Sequence, residues 1–164
     1  MGLLVLGFLV GYQLRPIPGP AATNEIAELR SELHQTRQMV ALSLLQQQSA
    51  SDRLKGVSWS YQLQQPGREI LAALLDTLMH DQNVNVRLAA VDALAQFARQ
   101  PTVRQGILQA LAQQDSPMVQ IALIDLLVGL GEKNSVTTLR NLSANRNLDT
   151  AVRDRAEQGL VELE

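Results

Sequence analysis

The stretch DQNVNVRLAAVDAL, residues 81–94, decides how this chain is read. Asn83 is a good helix N-cap, because its side-chain oxygen can accept a hydrogen bond from an unsatisfied amide of the first turn. Val86, Ala90, Leu94 and Phe97 follow at spacings of four, four and three, so they share one helical face. The same pattern returns at intervals of 33 residues. Ser116 and Asp149 share the column of Asn83, Val119 and Val152 that of Val86, and Leu123 and Ala156 that of Ala90. Leu94, Leu127 and Leu160 form what the pattern marks as the deepest column, and Phe97, Leu130 and Leu163 close each helix. Arg87, Gln120 and Arg153 align as well. Pro117 follows Ser116 at the first helical position, where its missing N–H is not needed.

Each of these capped helices is preceded by another. Ile70, Leu71, Leu74, Leu75 and Leu78 mark the first, Val103, Ile107, Leu108 and Leu111 the second, and Val136, Leu139 and Leu142 the third. Breaks fall at Gln100-Pro101 and at Gly131 to Asn134. The units are therefore 68–100, 101–133 and 134–164. Arg53, Val57 and Leu63 lie 34 residues before Arg87, Val91 and Phe97, so 50–67 reads as a divergent half-unit with Trp59 and Tyr61 over the open end of the stack. Composition agrees with an all-α chain. There are 29 Leu and 18 Gln, and aromatics are 3 % of 164 residues. Strands would want β-branched and aromatic residues instead. The expected architecture is a short α-solenoid, in which each unit buries its apolar face on the next.

Residues 81–94 resemble the second-helix signature of HEAT repeats. That family has an Asp in the turn and an Arg six positions later, joined into a ladder along the stack. Asp81 and Arg87 have this spacing. The matching positions in later units are Gln114 with Gln120 and Asn147 with Arg153, and Asp115 is one residue out of register. The resemblance implies a protein-interaction role.

The first fourteen residues are a different material. MGLLVLGFLVGYQL carries no charged side chain and ends at Arg15. As helix it would rise about 21 Å against roughly 30 Å of bilayer hydrocarbon. Three readings compete: a buried N-terminal helix, a cleaved signal peptide, and a membrane anchor whose upstream turns precede Met1. The third is preferred, because it explains both the short run and the lack of a preceding charge. Residues 15–22, RPIPGPAA, read as a proline-rich spacer. Residues 23–49 read as an amphipathic helix with Asn24 as N-cap and Ile26, Leu29, Leu33, Val40 and Leu44 on one face, interrupted by Arg37. That stripe over 26–44 is either a homodimeric coiled coil of roughly two and a half heptads, or a face packed on the rest of the chain, or part of a partly exposed stalk. Gln46 to Gln48 extend the helix or begin a turn.

A membrane segment, a short helix, the stretch VALSLLQQQSASDRLKGVSWSYQL and HEAT-like units together look like the C-terminal region of bacterial membrane-bound anti-sigma-factor proteins. The resemblance implies a single-pass protein of the bacterial inner membrane with extracytoplasmic repeats, acting as the sensor or scaffold half of a regulator. In that family a zinc-binding domain precedes the membrane helix, and no Cys exists here to build one. The alternatives are a soluble helical scaffold, or a relative of the HEAT-repeat bilin lyases.

Chemistry is sparse. No Cys excludes disulfides, thiolate nucleophiles and cysteine-ligated zinc, and two His make a histidine-rich metal site unexpected. There is no Gly-rich phosphate loop. A net charge of −2 without a basic run argues against nucleic-acid binding. No catalytic, cofactor or metal residue is expected. His80 beside Asp81 reads as a surface side chain next to a structural Asp, and Asn141-Leu142-Ser143 as a chance sequon. The polar positions of the second helices are Asp92, Gln96, Asp125, Gln158 and Glu162. They form the expected surface for a protein partner, with Asp92 and Asp125 painting an acidic stripe.

Overall fold

A computed structural model describes residues 20–163, with side chains from Asn24 onward. The fold is all-helical, with no strand among the described residues. Among the described residues eight α-helices follow in order: α1 Pro20–Leu45, α2 Ala50–Tyr61, α3 Arg68–His80, α4 Val84–Ala95, α5 Pro101–Gln113, α6 Pro117–Gly129, α7 Val136–Ala144 and α8 Thr150–Leu163. A 3-10 turn, Lys133–Ser135, leads into α7. Contacts divide the chain after Thr36, so residues up to Thr36 and residues from Arg37 onward are separate units. The proposed anchor over residues 1–14 lies outside the described residues. Among the described residues no helix is long and apolar enough to cross a membrane.

In the first unit the described part is the N-terminal stretch of α1. The helix already includes Pro20, Ala21 and Ala22, so Asn24 lies inside it and does not cap it, and the last three residues of the expected 15–22 spacer are helical. Ile26, Leu29 and Leu33 are all exposed.

The second unit is two rows of helices. α2, α4, α6 and α8 pack in sequence as one row, and α3 packs on α5 in the other, while the nine-residue α7 packs chiefly on α8. One apolar cluster runs without interruption from Ala41 and Leu45 through Leu78, Leu94, Ile107 and Leu127 to Val152 and Leu163. The 33-residue columns supply about a third of it, and the apolar faces of the preceding helices supply much of the rest. Val86, Val119, Val152, Ala90, Leu123, Ala156, Leu94 and Leu127 are completely buried. Two positions depart from the pattern. Leu160 is only half-buried against the cluster, and Leu130 is exposed. Leu130 is the helix C-cap, and Gly131 follows with φ +64°. The amides of Gly131 and Glu132 donate to the carbonyls of Val128 and Leu127, closing α6 in a Schellman turn that points Leu130 away from the core.

The predicted caps fare unequally. Asn83 accepts from the amides of Asn85 and Val86 at 2.9 and 3.4 Å. Asp149 accepts from the amide of Ala151 at 2.8 Å. Ser116 makes no side-chain cap bond, and Pro117 fixes the start of α6 instead. At the other end, α1 stops at Leu45, so Gln46 to Gln48 belong to the turn before α2. Gly56 of α2 lies against that end: a Cβ there would stand 2.6 Å from the Leu45 amide nitrogen. Only glycine permits this approach.

Leu94 and Leu127 sit at the middle of the cluster with no exposure. Leu94→Ala or Leu127→Ala is expected to cost about 2–5 kcal/mol in chemical denaturation. An unchanged denaturation midpoint would contradict the repeat register.

Candidate functional site

Two features of the second unit carry polar chemistry. The first is a ladder of ion pairs along the turns. Arg53 of α2 grips Asp81 of the α3–α4 turn with two hydrogen bonds, Nε to Oδ2 at 2.5 Å and Nη2 to Oδ1 at 2.9 Å. The side chains are 17 % and 4 % exposed. Arg53 Nη1 also donates to the carbonyls of Gln47 and Gln48, so one guanidinium ties the α1–α2 turn to the next turn of the stack. Asp81 Oδ1 in addition accepts from the Asn83 amide at 2.8 Å. Asp81 therefore fixes the cap residue of α4 while it bridges two units.

Arg87 does not pair with the Asp81 of its own unit. It reaches forward to Asp115, Nη2 to Oδ1 at 3.1 Å, across the same sequence separation as Arg53 and Asp81. The Asp that is out of register by sequence thus serves as the rung, but it is 83 % exposed and holds Arg87 through one contact. Gln114, the aligned residue, turns inward and donates to the Leu78 carbonyl at 3.2 Å. Gln120, standing in the Arg column, donates to the Gln114 carbonyl at 2.8 Å. The second step of the stack is therefore held by a neutral amide chain beside a surface ion pair. In the last unit Arg153 donates to Thr150 Oγ1 within its own helix. Elsewhere Glu132 of the turn after α6 faces Arg104 of α5 at 3.7 Å and accepts from the Asn134 amide.

The charge balance at Asp81 has a clear origin. Burial opposes its ionisation. The Arg53 hydrogen bond, the Asn83 amide and the charges of Arg53 and Arg87 outweigh that penalty, and the carboxyl titrates below its usual value of 3.8. The same bond holds the Arg53 guanidinium above its ordinary value.

The second feature is an open groove of about 670 Å³ between α2 and α4. Leu54, Val57, Ala89 and Ala95 supply apolar wall, and Ser58, Tyr61, Asp92 and Gln96 supply polar and aromatic edges. Asp92 and Gln96 are exposed. Trp59 and Tyr61 do not seal the end of the stack. They stand exposed on α2, with Tyr61 at the groove.

The structure brings only Asp92 and Gln96 of the five predicted surface residues to this groove. Asp125 and Glu162 are both taken by Arg155, whose Nε contacts Asp125 and whose Nη1 contacts Glu162 at 3.1 Å. The expected acidic stripe is thereby interrupted by a cation, and Asp92 is left without an ion pair among the described residues. Gln158 is exposed on α8. His80 pairs with Asp76 one turn earlier, Nδ1 to Oδ1 at 2.8 Å, rather than with Asp81. No cluster of metal-ligating side chains exists among the described residues.

A helix row, a continuous core and an Asp–Arg ladder in the turns are now in place. A family model for HEAT repeats matches residues 71–161, more than half of the chain. The chain belongs to the HEAT repeats. No curated protein matches it. HEAT repeats are helical scaffolds for protein–protein interaction, and the Asp81, Asn83 and Leu94 columns are the structural half of that design here. The matched span begins after α2, so Arg53 enters the ladder from outside it.

Because folding favours ionised Asp81, the stability it contributes is complete above the ordinary carboxylate range. It is lost as pH falls through the lowered folded value. Asp81→Asn is expected to cost about 1.5–3 kcal/mol at neutral pH and to flatten the fall of Tm with acidification below about pH 4. Parallel Tm–pH curves for the two proteins would contradict this role.

Proposed function

We propose that this protein is a non-enzymatic HEAT-repeat scaffold that holds a segment of another protein in the groove between α2 and α4. The observation that carries the reading is the groove itself, where apolar wall from Leu54, Val57, Ala89 and Ala95 lies beside the unpaired carboxylate of Asp92. Aromatic anchors with a few polar groups at the rim are the usual composition of such surfaces. An apolar peptide carrying one Lys or Arg fits that chemistry: its side chains displace water from the wall, and its cation meets Asp92. Tyr61 offers rigid contact area at low entropic cost.

The finer reading places this scaffold on a membrane through residues 1–14, as the sensor or scaffold part of an anti-sigma-factor-like regulator. It is supported by fourteen uncharged residues followed by a proline-rich spacer, and by the order of segments behind them. A freely soluble scaffold has the same repeats, and fractionation separates the two. The tethered form is expected in the membrane pellet, released by detergent and not by high salt. Recovery in the aqueous fraction without detergent removes the tether.

The groove is tested with a displayed peptide library. Selected sequences are expected to combine apolar residues with one basic residue. Tyr61→Ala together with Asp92→Lys is expected to weaken the selected peptides at least about tenfold, which corresponds to about 1.4 kcal/mol, with the far-ultraviolet helical signal unchanged. Peptides that bind the variant as well as the parent would overturn the reading.

A further inference from the structure

The exposed stripe of α1 points to a partner of a different kind. Ile26, Leu29, Leu33 and Val40 are 47, 58, 51 and 38 % exposed. Their spacings of three, four and seven fit a heptad with Ile26, Leu33 and Val40 at a, and Leu29 and Thr36 at d. In this register Arg37 is not an interruption of the apolar seam. It falls at e, as does Arg30, while Glu25 and Glu32 fall at g. Glu25, Arg30, Glu32 and Arg37 are exposed on α1, and none has an ion-pair partner among the described residues.

We infer that α1 pairs in parallel and in register with α1 of a second copy of this chain. In a parallel pair each g residue faces the e residue of the following heptad in the other helix. Glu25 then meets Arg30 of the partner subunit, and Glu32 meets Arg37 of the partner subunit, with both contacts repeated by symmetry. In an antiparallel pair g faces g and e faces e, which sets Glu against Glu and Arg against Arg. The charges therefore choose both the partner and the direction: an identical helix satisfies every flanking residue, and the reversed arrangement satisfies none. A seam of roughly two and a half heptads gives weak association, so the product is a monomer–dimer equilibrium rather than a permanent dimer. The inference is independent of the groove between α2 and α4, which takes another protein.

The test uses the full chain in mild detergent. Sedimentation equilibrium is expected to show dimer at a protein concentration on the order of 100 µM. The chain has no cysteine, so single thiols report direction. Ile26→Cys is expected to give a disulfide-linked dimer on oxidation. An equimolar mixture of Ile26→Cys and mass-tagged Val40→Cys is expected to give no mixed product. Glu25→Lys with Glu32→Lys, and separately Arg30→Glu with Arg37→Glu, are each expected to raise the dissociation constant about tenfold or more. Mixing those two variants is expected to restore the dimer, which a misfolded chain could not do. A monomeric parent chain, cross-linking between positions 26 and 40, or charge variants that self-associate like the parent would each overturn the inference. So would a dimer that survives Leu29→Lys with Leu33→Lys.

Discussion

Every helix pair of this protein has more apolar surface than it can bury within itself. α6 shows the constraint best. Val119, Leu123, Ile124, Leu127 and Val128 are all buried on this one thirteen-residue helix, which packs on α4, α5 and α8. No single partner helix could cover that surface, so a neighbour is required on each side. Stacking is the solution, and it sets the rest: a continuous core from Ala41 to Leu163 and small residues where helices approach. Gly56 against the end of α1 and Gly159 against Val128 mark two such approaches.

Burial fixes how far apart the units sit, but it says little about their angular register. The polar ladder adds that information. Arg53 spends its donors on Asp81 and on two carbonyls of a different turn, so a rotation of one unit against the next would break several bonds together. A buried carboxylate that lost its guanidinium would be left desolvated and unpaired, a far larger penalty than loss of a surface pair. The Arg87–Asp115 rung is more exposed, and the neutral chain from Gln120 through Gln114 to the Leu78 carbonyl shares its task. The two steps thus join equivalent elements of successive units by different chemistry.

The core columns were legible because they follow from helix periodicity alone. Val86, Ala90 and Leu94 face one way in any α-helix, and their recurrence states how many helices must do so. The failures have equally local reasons. Leu130 shares the column of Phe97, but the left-handed turn at Gly131 swings the chain out before its side chain can enter the core. Asp115 looked displaced because a column count is rigid, whereas a turn absorbs one residue and a flexible carboxylate covers the difference. Asp125 looked like free surface because Arg155 approaches it from the next helix of the row, a contact that no spacing within one helix reveals, whereas Glu162 lies two turns from Arg155 on the same helix.

The sequence by itself determined an all-helical chain, the 33-residue repeat, most of the buried positions and two of the four caps, since each of these depends on local geometry and on which side chains leave water. Only the tertiary structure decided which Asp each Arg takes, that the second ladder step runs through amides, and that α2 and α4 leave a groove with Asp92 unpaired. Those outcomes depend on distances between residues about thirty apart in the chain, and such distances exist only once the helices have stacked.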